Sequence, residues 1–136
     1  YYAGYDRYTG HSPILTCPNA INDLFTTNTS DTGNKALTYP IGLITVDELM
    51  LGGLADGYLN KSSYTYSSHT YWTLSPSRYS AANTAADGFL ASSVGYAYSG
   101  WVTDSYGVRA VINLKSDVQI SGGIGTANDP FVVQTT

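Results

Sequence analysis

Polar and aromatic side chains alternate between Ser77 and Tyr106, and this stretch has the residue types best suited to non-covalent recognition. Tyrosine and tryptophan offer rigid, amphipathic contact area, whereas serine, glycine and asparagine supply adaptable hydrogen bonds. Because aromatic rings also stack on sugar faces, the composition suits a protein target and a glycan target alike. Trp101 also fits a core position, because tryptophan is highly buried on average. The predicted ligand contacts are Arg78, Tyr79, Asn83, Asp87, Tyr96, Tyr98, Trp101, Asp104 and Tyr106.

Two apolar segments flank this stretch, and we expect them to hold it as a presented loop. Tyr71–Leu74 is predicted to be a strand whose Trp72 faces the core. Val108–Leu114 is predicted to be the strongest strand in the chain, because its apolar residues recur at every second position. Arg109 within it is expected to be a structural hydrogen-bond donor. The buried face of this strand is predicted to carry Val108, Ala110, Ile112 and Leu114.

Glycine-centred turns predict two further pairs of short strands. The first pair joins Phe89–Val94 to Tyr96–Val102 around Gly95. The second is a terminal hairpin that joins Val118–Ile120 to Phe131–Val133. Glycine suits such turns because it adopts positive φ at little steric cost.

A short helix is predicted after Thr45. The Thr45 hydroxyl can accept a hydrogen bond from the amide of Glu48, whose carboxylate reaches back to the Thr45 amide, which is the capping-box arrangement. Gly52–Gly53 ends the helix early. The preceding residues Ala36–Ile44 alternate in the manner of a half-buried strand, and Pro40 places that strand at an edge or at its start.

The first 35 residues are predicted to be mostly irregular. An edge strand is expected from Tyr1, Tyr2 and Tyr5. Pro13–Lys35 is predicted to be a loop with one helical turn near Ile21–Phe25 and a tight turn at Gly33–Asn34. The Gly57–Thr70 segment is predicted to be a polar loop. The expected buried anchors near the N-terminus are Ile14, Leu15, Ile21, Leu24 and Phe25.

These elements predict the α+β class, with short antiparallel strands, one or two short helices and long irregular loops. The 136 residues have the size of one domain, so we expect a single domain over residues 1–136. The chain starts at Tyr1 without a methionine, which is typical of a piece of a longer, anchored precursor.

Composition narrows the class of partner. Charged residues make up 12% of the chain, the net charge is −4, and the six cationic residues are scattered. A nucleic acid or an anionic membrane surface calls for clustered cations, so neither partner is expected. The chain also has no apolar run near the roughly 18 residues that a transmembrane helix needs. We therefore expect no membrane insertion of this segment.

The sequence contains no recognisable catalytic or metal-binding motif. Cys17 is the single cysteine, and no lysine or arginine stands beside it to lower its pKa. His11 and His69 read as solvated surface residues, and no G-x-S-x-G elbow accompanies them. Zinc sets and the calcium-loop spacing are both absent from the sequence. We predict no enzyme activity, no metal and no cofactor.

Several ordered segments carry a resemblance to a known family. They are Tyr39–Glu48, Tyr71–Pro76, Gly107–Lys115, Gly122–Thr126 and Asn128–Phe131. In this order they resemble a bacterial surface-protein family with the C-type lectin-like fold, in the variant shared with formylglycine-generating (sulfatase-modifying) enzymes. The match covers roughly residues 36–134.

The resemblance implies a C-type lectin-like domain displayed outside the cell or at the cell surface, often attached to a pilin-like or anchored N-terminal part. It also implies ligand binding within the Ser77–Tyr106 interval, which retroelements diversify in some members. Two positions depart from the family, since Ala110 stands where proline is expected and Ile124 where aspartate is expected. The calcium-and-sugar triplets of animal lectins and the reactive C-terminal cysteines of the enzymes are both missing.

The composition leaves a structural alternative open. Few charges and many tyrosines also suit a surface that is buried by assembly. In that alternative the chain is the globular head of a pilin-like filament subunit, and its loops pack against neighbouring copies of itself.

Overall fold

The computed structural model describes residues 3–17, 26, 37–39, 41–82, 84–114, 117–126 and 128–134. Within these ranges the chain forms two short helices and seven strands, and every paired strand is antiparallel to its partner, so the α+β class is confirmed. The helices are α1 (Ala3–Thr9) and α2 (Val46–Leu51). The strands are β1 (Gly42–Leu43), β2 (Tyr71–Ser80), β3 (Ala85–Ala91), β4 (Ala97–Trp101), β5 (Ala110–Val111), β6 (Ile120–Gly122) and β7 (Val132–Val133).

A three-stranded meander, β2–β3–β4, is the main sheet. The β3–β4 hairpin confirms the predicted strands around Gly95, which has a φ of 102°. The Gly95 amide donates to the Ser92 carbonyl over 3.0 Å and closes the turn. Two register shifts interrupt the β2–β3 pairing on either side of Pro76, because proline has no amide to donate to the ladder.

Helix α2 begins as predicted. The Thr45 Oγ1 accepts from the Glu48 amide over 3.2 Å, and Glu48 Oε2 accepts from the Thr45 amide over 2.8 Å. The capping box is therefore complete, and the helix ends at Gly52. The 57–70 segment forms no helix or strand, also as predicted.

The core lies between the two helices and one face of the main sheet. Leu49 of α2, Leu54 and Phe89 of β3 are fully buried there. The Tyr8 ring of α1 packs on Phe89 with the ring centroids 4.9 Å apart. Burying such a side chain stabilises the fold by roughly 1.5–3 kcal/mol, so these contacts fix the helices on this face.

An ion pair joins the two helices. Arg7 donates from Nε to Asp47 Oδ1 over 2.7 Å and from Nη2 to Asp47 Oδ2 over 2.8 Å. Asp47 Oδ1 also accepts from the Ile14 amide over 3.0 Å, which ties down the chain that follows α1. Burial raises the pKa of Asp47, but the hydrogen bonds from Arg7 and the Ile14 amide, with the Arg7 charge, outweigh burial and lower it.

The predicted N-terminal edge strand is wrong in the part the structure describes, because Tyr5 lies in helix α1. Tyr5 and Tyr8 are three residues apart, so a helix places both rings on one side against the core. Tertiary packing thus overrides the strand preference of tyrosine. Tyr1 and Tyr2 lie outside the described residues.

The two strands predicted to be long are short. Of Ala36–Ile44 only Gly42–Leu43 is strand, and of Val108–Leu114 only Ala110–Val111. These two pieces pair with each other, and no other described strand continues the pairing. The predicted buried face is exposed instead at Val108, Ile112 and Leu114.

The N-terminal anchors are also corrected where they are described. Ile14 and Leu15 are exposed rather than buried. The helical turn near Ile21–Phe25 and the turn at Gly33–Asn34 lie outside the described residues. At the other end, the predicted terminal hairpin is confirmed as β6 paired with β7.

Candidate functional site

The Ser77–Tyr106 interval is mostly strand, which corrects the expectation of a presented loop. It contains the end of β2 and all of β3 and β4. Every second residue of these strands enters the core, among them Phe89, Ala91 and Ala97, which pack against the helices. This packing favours strands over a loop in the interval. Because side chains alternate along a strand, the predicted contact residues divide between two faces of the sheet.

One face is turned away from both helices, and we call it the outer face. Its rows follow from the strand register, in which Trp72 pairs with Leu90 and Leu90 with Tyr98. A second row pairs Tyr79 with Ala86. Opposite residues of an antiparallel pair share a face, so the outer face is defined by Trp72, Tyr79, Ala86, Leu90 and Tyr98, together with the ring of Tyr106 described next. Leu90 is fully buried, so it supports this face and is not accessible on it.

Tyr106 reaches the outer face because the chain crosses back over the sheet after β4. The Asp104 amide donates to the Trp101 carbonyl over 2.9 Å and closes a turn. Gly107 then forms a bridge beside Tyr71, donating to the Thr70 carbonyl over 3.0 Å. A side chain at Gly107 would place its Cβ 3.1 Å from that carbonyl oxygen, so glycine permits the close approach.

Aromatic rings lie over two glycines in the middle of the outer face. The Trp72 and Tyr106 rings meet edge to face with centroids 5.5 Å apart. A Cβ added to Gly88 would lie 3.0 Å from the Trp72 ring, and one added to Gly100 would lie 3.8 Å from the Tyr106 ring. The outer face therefore carries aromatic rings that lie over the glycines of the main sheet.

Trp72 was predicted to face the core, and the structure corrects this. Its neighbours Tyr71 and Thr73 are the buried ones, whereas Trp72 is partly exposed on the opposite face. A strand alternates its sides, and only one of the two aromatic neighbours can enter the core. The small residues Gly88 and Gly100 were the sequence signal, because they leave room for a large ring above the sheet.

The tyrosines at one end of this face form a connected group. The Tyr96 and Tyr98 rings lie 5.7 Å apart. Burial, followed by a hydrogen bond with Tyr106 and the nearby charges of Tyr106 and Tyr96, raises the pKa of Tyr98. A tyrosine hydroxyl is protonated at neutral pH, so that of Tyr98 can donate as well as accept hydrogen bonds.

Three other predicted contacts lie on the core side, at the far end of the sheet. Arg78 Nε donates to Asp87 Oδ2 over 2.9 Å, and the Arg78 Cζ lies 5.4 Å from the centre of the Tyr5 ring of α1. Asp87 is buried, and its register partner Trp101 is 52% exposed. Arg78 and Asp87 thus connect the sheet to α1, while Trp101 presents a free ring edge on the side away from the outer face.

The last two predicted residues do not join either group. Asp104 is exposed in the turn after β4. Asn83 lies outside the described residues. The structure therefore brings Tyr96, Tyr98 and Tyr106 together with Trp72. Tyr79 lies on the same face, but in the row of Ala86 at the end of the sheet where Arg78, Asp87 and Trp101 occupy the opposite face.

Arg109 is a structural donor, as the sequence analysis expects. Its Nη1 donates to the Thr65 carbonyl over 3.0 Å, and its Cζ lies 5.6 Å from the centre of the Tyr71 ring. The Tyr71 ring is buried against the core. The guanidinium thus connects the 57–70 loop to β2 behind the outer face.

The two histidines and the single cysteine lie outside the outer face. His69 is exposed and contacts Ser68 Oγ at 3.2 Å, and His11 meets the Tyr58 ring at 5.6 Å. Cys17 is a free thiol of intermediate exposure. Among the described ranges no three His, Cys, Asp or Glu residues are close enough to hold a metal ion. None of the described helices is long and apolar enough to cross a membrane.

A small cavity lies beside the β1–β5 ribbon. Its volume is about 100 Å³, and its lining includes Leu43, Glu48, Leu74 and Val111. Small-molecule sites usually measure about 300–1,000 Å³. The cavity is thus too small for a typical cofactor or metabolite, and a broad surface such as the outer face suits a macromolecular ligand better.

Comparison of the chain with protein-family models, with curated protein sequences and with solved structures finds no match.

Proposed function

We propose that this chain is an extracellular or cell-surface recognition domain that binds a protein or carbohydrate surface non-covalently through its outer face. The observation that supports this is the uneven cover of the main sheet. Both described helices pack on one face, whereas the other face presents Trp72, Tyr79, Tyr98 and Tyr106. The architecture we propose is the C-type lectin-like fold of the formylglycine-generating-enzyme variant, as the ordered segments suggest.

The chemistry of the outer face favours binding over catalysis. Tyrosine and tryptophan are enriched where binding energy concentrates at protein interfaces. Their rings have few rotatable bonds, so holding them against a ligand costs little conformational entropy. The rings of Trp72, Tyr79 and Tyr98 stand on paired strands, and Tyr106 directly precedes the Gly107 bridge, which further lowers the ordering cost of binding. We therefore propose a binding module without a catalytic step, metal or cofactor.

A second candidate function is a structural role as the head of a pilin-like filament subunit. The exposed apolar side chains after β4 favour it, among them Val108, Ile112 and Ile124. Contiguous exposed apolar surface marks protein–protein interaction sites. In this candidate the contacts are with neighbouring copies.

An array of glycans and of surface proteins tests the first candidate. We expect the wild-type chain to retain a ligand and the Tyr79→Ser/Tyr106→Ser variant to bind it at least about tenfold more weakly, because each lost ring removes desolvated contact area. Tyr64→Ser is the matched control, since Tyr64 is 76% exposed and belongs to the 57–70 loop, not to the main sheet. Equal binding by the double variant and the wild type would exclude the outer face.

A further inference from the structure

The terminal hairpin stands apart from the rest of the described chain. In β6 and β7, Ile120 pairs with Val133 and Gly122 with Val132. The turn between them is closed by amides, including that of Gly125, which donate to the Asp129 carbonyl. The hairpin makes no extensive contact with any other described helix or strand. A two-stranded hairpin alone is marginally stable in water, so this one needs a surface to pack on.

Both faces of the hairpin are apolar. Ile120 and Val133 are opposite each other on one face, and Val132, next to Val133, points to the other. The large apolar side chains of the hairpin and its turn are all 38–72% exposed: Ile120, Ile124, Phe131, Val132 and Val133. A polar face turned to solvent would be expected of a hairpin that packs on one side only. Apolar residues on both faces instead fit a hairpin that a partner covers on both sides.

The same chain has a second exposed apolar surface, which no described helix or strand covers. It surrounds the β1–β5 ribbon and consists of Ile41, Val108, Ile112 and Leu114. The ribbon has only two residues in each strand, and the other edge of β5 pairs with no described strand. Such an edge can accept an added strand.

We propose that the β6–β7 hairpin of one copy docks on the β1–β5 ribbon of a second copy, and that the second copy's hairpin docks in return. Reciprocal exchange of one element is a common route to a closed two-fold dimer. In this dimer each copy supplies one hairpin and receives one, so the apolar surfaces of the hairpin and of the ribbon are both covered.

The available apolar area matches such an interface. Burying one Val, Leu, Ile or Phe side chain removes roughly 60–120 Å² of apolar surface from water. The nine side chains named above are 38–74% exposed, so only a little over half of that area is still available, roughly 300–600 Å² per copy. A standard interface buries about 800 Å² per partner, slightly more than half of it apolar, so a second copy is a sufficient occupant.

Charge also favours a second copy at this surface. Between residues 107 and 134, Arg109 and Lys115 balance Asp117 and Asp129, so the net charge of this region is zero. The chain as a whole has a net charge of −4, which therefore resides in the remaining residues. Two copies repel each other least where they meet through the neutral region.

Sedimentation equilibrium of the full chain tests the dimer. We expect a monomer–dimer equilibrium at micromolar concentration. In the hairpin variant Ile120→Thr/Val132→Thr/Val133→Thr the dissociation constant should rise at least about tenfold, because threonine keeps the strand preference but buries poorly. Val94→Thr, at an exposed site in the β3–β4 turn, is the matched control and should leave the constant unchanged. We expect a dissociation constant of roughly 1–10 micromolar. A wild-type chain that stays monomeric at about 100 micromolar, well above that constant, overturns the proposal.

Mixing two variants tests the reciprocal arrangement. The ribbon variant Ile41→Thr/Ile112→Thr should dimerise as weakly as the hairpin variant, since each homodimer has both contacts damaged. In an equimolar mixture, one intact hairpin meets one intact ribbon, so association should recover in part. Absence of recovery, or assembly beyond the dimer, overturns reciprocal docking. Circular dichroism of each variant at low concentration confirms that the monomers remain folded.

Discussion

Asp47 accepts three hydrogen bonds, two from the Arg7 guanidinium and one from the Ile14 amide. The side chain of Asp47 is 7% exposed and that of Arg7 21%, so solvent screens this ion pair less than a surface pair. The pair connects residues that are forty positions apart in the chain. It therefore holds α1 and α2 together on the core face of the sheet.

Asp47→Asn should lower the free energy of unfolding by about 2 kcal/mol, because the NH2 group that replaces one carboxylate oxygen cannot accept a hydrogen bond from Arg7 and the remaining hydrogen bonds lose their charge. Urea unfolding followed by circular dichroism measures this. Asp104→Asn, in an exposed turn, should change the same quantity by less than about 0.5 kcal/mol. Equal effects of the two substitutions would show that the Arg7–Asp47 pair does not stabilise the fold.

The pKa of Asp47 also predicts a dependence on pH. Folding lowers this pKa, so the stability it contributes is present above the unfolded-state value of about 3.9 and is lost as the pH falls through the folded-state value. Between pH 5 and pH 3 the wild type should therefore lose more unfolding free energy than Asp47→Asn. Parallel pH profiles of the two proteins would contradict the assignment.

At the scale of the elements, Gly88 and Gly100 of the main sheet leave the space that the rings of the outer face occupy. Gly88 lies in β3 directly beneath the Trp72 ring, and its backbone needs no positive φ. Space, rather than backbone freedom, thus explains the glycine at this position.

Gly88→Ala should displace the Trp72 ring, because the new Cβ would lie 3.0 Å from it. We expect a loss of about 1–3 kcal/mol of stability and a shift in tryptophan emission. Gly122→Ala, measured at a concentration at which the chain is monomeric, is the matched control, since a Cβ there meets nothing within 4 Å and the residue is likewise in a strand. Unchanged emission in Gly88→Ala would mean that Trp72 does not rest on β3.

What the sequence predicts at this scale depends on how local the signal is. The Thr45–Glu48 capping box and the Gly95 turn are set by residues within a few positions of each other, and both are confirmed. The side of β2 to which Trp72 points depends instead on which of two adjacent aromatic residues the helices cover. The short β1 and β5 depend on a pairing between Leu43 and Ala110, far apart in the chain, and periodicity alone does not contain that information.

At the scale of the whole molecule, the chain is organised around one sheet with two different sides. The core side carries both described helices and the Arg78–Asp87 pair, and the outer face carries the rings of Trp72 and Tyr106. From the sequence, Tyr79, Tyr96, Tyr98 and Tyr106 were predicted to be ligand contacts on a loop, and the loop is the part of that prediction that the structure corrects. Core packing of Phe89 turns that loop into sheet and so divides the predicted contacts between two faces.

The two tryptophans report on the two faces, and they test the central claim most directly. In Trp101→Phe only Trp72 emits, and in Trp72→Phe only Trp101, since the chain has no other tryptophan. Each variant is titrated with a glycan or protein to which the wild-type chain binds on the array. Binding through the outer face predicts that the emission of Trp72 shifts with the binding midpoint while that of Trp101 stays constant. A response from Trp101 alone would contradict it and place the ligand at the other end of the sheet.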